Sequence, residues 1–506
     1  MKRVLFFTLL IVALFPLSHA FAQNINTPEN FPDPEFRAVA ELVMGVSPGG
    51  EFTAAEVAAI TDTLSIYQKQ VTDVTGLEYF TGITGLFIAF TPLANLDVSH
   101  NTALTVLGCP FNNITELDVS HNTALTELHC HMNELTSLDV SNNIALTQFQ
   151  CYGNHLTSLD VSNNTALTNF SCHANQIASL DVSHNTELTF LKCYENPFGS
   201  LDVSHCPNLD YLNCGDNELT TLDLSHNTAL QEVYCSENQL SSLDVTHSPD
   251  LHVLDCSGNR LTELDLSNNP ALYEFDCGTN QITGLDVSDK TTLQTFYCND
   301  NQLTNMDVSN SPNLLYLNCS NNQIIGLDLL NNINLQALRC QANQLTTLIL
   351  PPAEFLAVVY CESNQLTSLD IPDPVNLQML YCQSNRLTSL DVSQSTALRS
   401  LDCSDNQLTD LSVPDGSNLQ IILCHQNQLT SISSLVADTG LGERSRVDVR
   451  YNNLDCGDWD DVMALSERIG EPVLDEDLSL VGGFAYSPQN NLDPYECVGI
   501  SDWHLH

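Results

Sequence analysis

One spacing constrains this chain more than any other. Sixteen cysteines fall on a 21-residue grid that does not slip between Cys109 and Cys424. Leu stands five residues before each, from Leu104 to Leu419, and Asn stands three residues after each, from Asn112 to Asn427. Two residues before each cysteine is Leu, Phe, Val or Ile, so the unit reads Leu-x-x-apolar-x-Cys-x-x-Asn. Its second half copies the first, as in Leu135, Leu138, Val140 and Asn143. A period this strict describes a stacked array, because a 21-residue coil cannot bury its apolar face alone and relies on its neighbours. The apolar–x–Cys alternation is that of a strand with one buried face. Stacking in register then places equivalent residues about 4.8 Å apart in a parallel sheet.

The doubled Leu-x-x-Leu-x-Leu-x-x-Asn pattern resembles the bacterial 21-residue class of leucine-rich repeats, over roughly residues 61–455. The resemblance implies a leucine-rich-repeat solenoid, β-rich, with a parallel sheet of about 19 coils and helical caps at both ends. Residues 23–60 look like the helical cap of internalin-like proteins: Phe31 to Arg37 leads into Ala38–Val43, and Thr53-Ala-Ala-Glu56 is a capping-box start. Two less regular coils follow, with Ile66 and Ile88 in the slot later held by cysteine. After Cys424 one more strand is expected, with Val449 in that slot. Residues 456–506 form a C-terminal cap and tail, including a helix from Asp458 to Ile469 that presents Trp459, Val462, Leu465 and Ile469 on one face and stops at Gly470.

Residues 1–22 read as a signal peptide: Met1-Lys2-Arg3, an apolar run from Val4 to Leu17, then Ala20-Phe21-Ala22, with cleavage before Gln23. A secreted or cell-surface bacterial protein is therefore expected. The apolar run is short for a bilayer span, and no insertion of the mature chain into a membrane is expected. Charge narrows the partners. The chain has 14 basic and 62 acidic residues; without Lys2 and Arg3, 12 remain and the formal charge moves from −48 to −50. Nucleic acid is excluded, and cationic partners or divalent ions are favoured.

The repeated residues divide into scaffold and candidate site. The Asn column is expected to bond backbone groups within its own coil and the next. The grid cysteines fill a leucine slot and are expected to be reduced and buried, since in-register parallel strands aim successive Cβ vectors the same way, a poor geometry for disulfides. Cys206 takes a corner that Asn185 and Asn227 hold in neighbouring coils, while Cys456 and Cys497 are the expected disulfide pair. An outward column of aspartates, Asp139, Asp160 and Asp181 among them, allows two readings. Each carboxylate is held by the backbone and the Ser two residues on, or the column shares calcium between coils. A histidine column (His184, His205, His226, His247) exchanges freely with Asn and reads as a polar turn.

No catalytic motif emerges, and no cofactor is expected beyond the calcium alternative. What varies is the exposed set on the first strand of each coil, at the positions three before, one before and one after the cysteine. It holds Tyr152, Phe190, Tyr194, Tyr211, Tyr234, Tyr297, Tyr360 and Tyr381, with Asp255, Glu274 and Asp276 making its middle acidic. Tyrosine is favoured both on strands and at interfaces. The expected function is a non-catalytic extracellular module that binds protein or glycan through this face. The alternative is a calcium-stabilised structural protein of an envelope or matrix.

Overall fold

The computed structural model describes residues 23–352, 354–372, 375–416, 418–470, 472–474, 480–486 and 489. The expected leader and Cys497 lie outside them, as do the side chains of Cys456 and Trp459. The chain divides into two compact units, residues 1–145 and 146–506.

The first unit opens with helix α1 (Pro34–Val43). Asp33 caps it: one carboxylate oxygen accepts from the amides of Glu35 (2.9 Å) and Phe36 (3.0 Å), and the other accepts from Thr72 N (2.8 Å). Helix α2 (Ala54–Ala58) starts at the expected capping box, with Thr53 and Glu56 each bonding the other's amide. Between them Phe31, Phe36, Phe52 and Phe80 are buried together. Parallel strands Leu64–Tyr67, Gly85–Ala89, Val106–Gly108 and Glu127–His129 follow in register, so Ile66 pairs with Ile88, one slot beyond which the cysteine column begins.

The second unit repeats the same step from Gln148–Gln150 to Ile421–Leu423, every strand parallel and displaced by 21 residues. The next strand, Arg446–Asp448, pairs Ile422 with Val447 and so puts Val449 in the cysteine slot, as expected. Shorter two-strand ladders form on the second half of some coils, such as Gly326–Asp328 with Thr347–Ile349.

Behind the strands the core is a set of files. The Leu, middle-apolar and Cys side chains of successive coils are buried throughout. Burial pushes the thiols of Cys109, Cys172, Cys214 and Cys319 up to about 12. The seventeen cysteines from Cys109 to Cys424, Cys206 included, are free and buried.

The Asn column closes one corner. In mid-array Asn259 Nδ2 donates to the carbonyls of Cys235 (3.0 Å), Cys256 (3.1 Å) and Ser257 (3.1 Å), while its Oδ1 accepts from Leu240 N (2.9 Å). The opposite corner has a column of its own, deeper still: Asn185, Asn227, Asn269 and Asn332 are fully buried, each donating to two carbonyls of the preceding coil. Cys206 stands in this column and aims Sγ at the equivalent carbonyls, Val182 O and Asn185 O, both at 3.7 Å. Lys290 also stands in it, fully buried, with its ammonium paired to Asp289.

The carboxy-terminal end departs from expectation in two ways. Helix α3 (Ser433–Ala437) fills the lengthened last coil, and a further strand, Leu480–Ala485, pairs parallel to Arg446–Asp448. Helix α4 (Trp459–Ile469) lies where predicted, with Val462, Leu465 and Ile469 buried. Its Arg468 donates to the carbonyls of Val436 and Asp438 at the end of α3.

Candidate binding face

Strand register places the variable side chains. In the second unit the residues one before each cysteine run Lys192, Asn213, Tyr234, Asp255, Asp276, Tyr297, Asn318, Arg339, Tyr360, Tyr381 and Asp402, each paired with the next. At about 4.8 Å per strand this is one file, from which Tyr234, Tyr297, Tyr360 and Tyr381 project in the same direction. All four are half-buried.

Ring contacts account for part of that burial. Tyr360 and Tyr381 lie face to face, centroids 4.9 Å apart at 7°. On the file one residue after the cysteine, His173 is sandwiched between Tyr152 and Tyr194, at 4.2 Å from each. Phe190 stacks on Tyr211 at 4.4 Å, and Tyr211 leans on Tyr234 at 5.5 Å. Such ladders stiffen the sheet and leave ring edges outward. Two cations rest on them: Lys192 Nζ is 5.2 Å from the centroids of both Phe190 and Tyr211, and the Arg339 guanidinium is 5.4 Å from Tyr360.

Asp255, Glu274 and Asp276 come together in the middle. With Tyr234 and Tyr297 they line a cavity of about 80 Å³ floored by Phe275. Burial, opposed by a hydrogen bond from Gly278 N, raises the Asp276 carboxyl to about 6, and the charges of Asp255 and Glu274 push it the same way. Tyr234 donates to Glu232 Oε2 at 3.0 Å; burial first, then that carboxylate, hold its hydroxyl well above the usual tyrosine range.

Reasoning from residue type passed over His173, Lys192, Arg339 and Glu232. It also passed over a row in the first unit, where Tyr67, Phe90, Phe111 and His131 follow one another through ring contacts, Phe90 and Phe111 stacked at 4.3 Å. Tyr67, Phe90 and Phe111 are exposed. The signal was available as aromatic residues at coil spacing, but Phe90 and Phe111 sit two residues past the slot, outside the three variable positions of the first strand.

The aspartate column lies on the other half of the coil. Asp139, Asp160 and Asp181 each accept, at 2.9 Å, from the amide of the Ser two residues on. At Asp160 the hydroxyl and amide of Ser162 lower the carboxyl pKa. Each histidine of the neighbouring column instead meets the preceding hydroxyl, as His184 Nδ1 meets Ser183 Oγ at 3.1 Å. Among the described residues no three His, Cys, Asp or Glu side chains gather as a metal site.

Comparison with known proteins agrees with this geometry. The family model for leucine-rich repeats, in two copies, matches residues 375–416. The functional domain of InlJ from Listeria monocytogenes, which includes a cysteine ladder, is 31% identical; the alignment covers 85% of this chain and 82% of that one, with a TM-score of 0.63. The chain belongs to the leucine-rich-repeat family. YopM from Yersinia enterocolitica shares the fold of this leucine-rich-repeat protein at 22% identity, covering 84% and 91% of the two chains with a TM-score of 0.62. So does the ectodomain of the Arabidopsis receptor kinase HAESA in complex with a peptide hormone, at 19% identity, 80% of each chain and a TM-score of 0.60. No curated protein matches the chain. Among the described residues no helix is long and apolar enough to cross a membrane.

Proposed function

We propose that the chain is a secreted, non-catalytic binding module that takes a protein partner on the first-strand face of its coils. One observation carries this reading: the core files and the Asn column from Asn112 to Asn427 are nearly invariant from coil to coil, whereas the file beside them varies along the array and holds stacked tyrosines, two cations and an acidic cavity in register. A rigid array that fixes position without fixing identity is how repeat proteins build extended recognition surfaces. The signal-peptide order of residues 1–22 supports export, and the peptide hormone on the HAESA ectodomain shows that this fold accommodates a peptide ligand. Against the calcium-stabilised alternative stands the backbone bond to one oxygen of each of Asp139, Asp160 and Asp181, which orients these carboxylates toward their own turns.

The mature chain, immobilised, should capture a partner from the surface proteins of the cells it meets. Replacing Tyr360→Ala with Tyr381→Ala should then weaken capture by at least about 2 kcal/mol, the size of an aromatic hot spot, with the fold intact. The pair Asp139→Asn with Asp160→Asn, on the other half of the coil, should leave capture unchanged. The reverse pattern would move the site to the aspartate column.

A further inference from the structure

The middle of the first-strand file has a more specific chemistry than its aromatic ends. Four successive strands present Tyr234, Asp255, Asp276 and Tyr297 at one register position, so two carboxylates one strand apart lie between two phenol rings separated by about 14 Å. Glu274 adds a third carboxylate from the same strand as Asp276. One oxygen each of Asp255 and Asp276 is spent within the fold, on Ser257 N (3.1 Å) and Gly278 N (2.8 Å). Among the described residues none of the three carboxylates has an ion pair, although Lys192 and Arg339 stand on the same file. Those two cations lie three strands out from Asp255 and Asp276 respectively, each drawn onto aromatic rings. They fence a negative cavity on both sides.

Building on the proposed binding face, we infer that this cavity receives one arginine side chain of the protein partner. A planar guanidinium offers donors in a fork that matches two carboxylates side by side, and its faces stack on phenol rings. The cavity of about 80 Å³ between the carboxylates and the phenol rings has room for such a group. A metal ion is disfavoured by the absence, among the described residues, of three ligands gathered around one point. The arrangement also works against the fold. Asp276 has a folded pKa near 6, above the ordinary carboxyl value of 3.8, so its ionised form at neutral pH destabilises the chain; that penalty shrinks as pH falls through 6 and is gone only below the unfolded carboxyl value. A cation brought by a partner removes it.

The test is NMR titration of the mature chain with three acetylated, amidated pentapeptides of glycine that carry arginine, lysine or citrulline at the centre. The arginine peptide should shift resonances of Tyr234 and Tyr297, and bind several-fold more tightly than the lysine peptide. Citrulline, isosteric and neutral, should bind at least about tenfold more weakly than arginine, since charge-assisted bonds are roughly twice as strong as neutral ones. Asp255→Asn with Asp276→Asn keeps the internal acceptors, should fold normally, and should lose arginine binding. Its melting temperature should exceed that of the parent at pH 7.5, with the gap narrowing as pH falls through 6 and closing only below the unfolded carboxyl value of 3.8. Equal binding of arginine and citrulline, unchanged affinity in the double variant, no binding at all, or a calcium isotherm saturating at these aspartates would each overturn the inference. Any of these would leave intact a partner captured through Tyr360 and Tyr381, so the two claims fail separately.

Discussion

Asn259→Ala tests whether the corner amide holds adjacent coils together. Asn259 makes three donor contacts and one acceptor contact, but these are not equal in consequence. Each of the three carbonyls keeps a second donor after the change: Cys235 O from Asn238 (3.1 Å), Cys256 O from Asn280 (3.0 Å) and Ser257 O from Glu237 N (2.9 Å). Leu240 N, buried, loses its acceptor outright. The dominant cost is therefore one orphaned backbone donor, about 1–3 kcal/mol, with a further ~1 kcal/mol for the lost amide contacts and the small void. A loss of about 2–4 kcal/mol should result, localised on the coils holding Leu240 and Asn259. Because repeat arrays open locally, hydrogen exchange resolves it better than a melting curve. The Leu240 amide should lose most of its protection, while amides around Asn343, four coils on, keep theirs. An opening free energy within about 0.5 kcal/mol of the parent would refute the reasoning, since that is the range of an ordinary surface substitution.

Cys206→Asn should stabilise the second unit by roughly 0.5–1.5 kcal/mol in hydrogen exchange, by replacing two weak thiol contacts with amide bonds like the 2.9 Å pair made by Asn227. Thiol counting on the unfolded, unreduced mature chain should find the grid cysteines free, and in the native state they should react slowly because burial holds them as thiols; eight or more disulfides would contradict this. Asp160, whose folded pKa is depressed by Ser162, contributes stability that is present above the unfolded carboxyl value and lost as pH falls through the folded one. With its column it should lower the melting temperature below about pH 4, whereas a chelator at pH 7 should leave the melt unchanged; a large chelator shift would revive the calcium reading.

Much of this was legible because the information is periodic. The Leu, Cys and Asn columns name the core and one corner, and the slot logic reaches Ile66, Ile88 and Val449, where no cysteine stands. Helix α4 was readable from its own amphipathic spacing. Where the period ends, so does the reading: α3 is a five-residue helix inside an irregular coil, and Leu480–Ala485 contains Gly482 and Gly483, which carry no strand signal. A second gap lies in the backbone. The residue before the corner Asn has positive φ in nearly every coil, as at Phe111 (56°) and Glu195 (52°), yet only Gly153 and Gly258 supply the residue type that announces it. Side-chain stacking between coils was out of reach for a different reason. His173 has no special context along the chain and acquires one only from Tyr152 and Tyr194, a coil away on either side.

The second corner column has a kinetic meaning. Coils this similar can pair one unit out of place: a slip of 21 residues rebuilds the same Leu, Cys and Asn contacts and sacrifices little but a coil at the edge. Misthreaded states of that kind are the traps of repeat folding, and a landscape free of them needs contacts that cannot be swapped. Cys206 and Lys290 are such contacts. The Lys290–Asp289 pair moves with its own coil, so what marks register is that a fully buried lysine, and a thiol at Cys206, stand where the coils around them hold other residues. Restoring Asn at both positions would strengthen the column while removing its index marks, so the more stable chain would be the one that refolds to the wrong register.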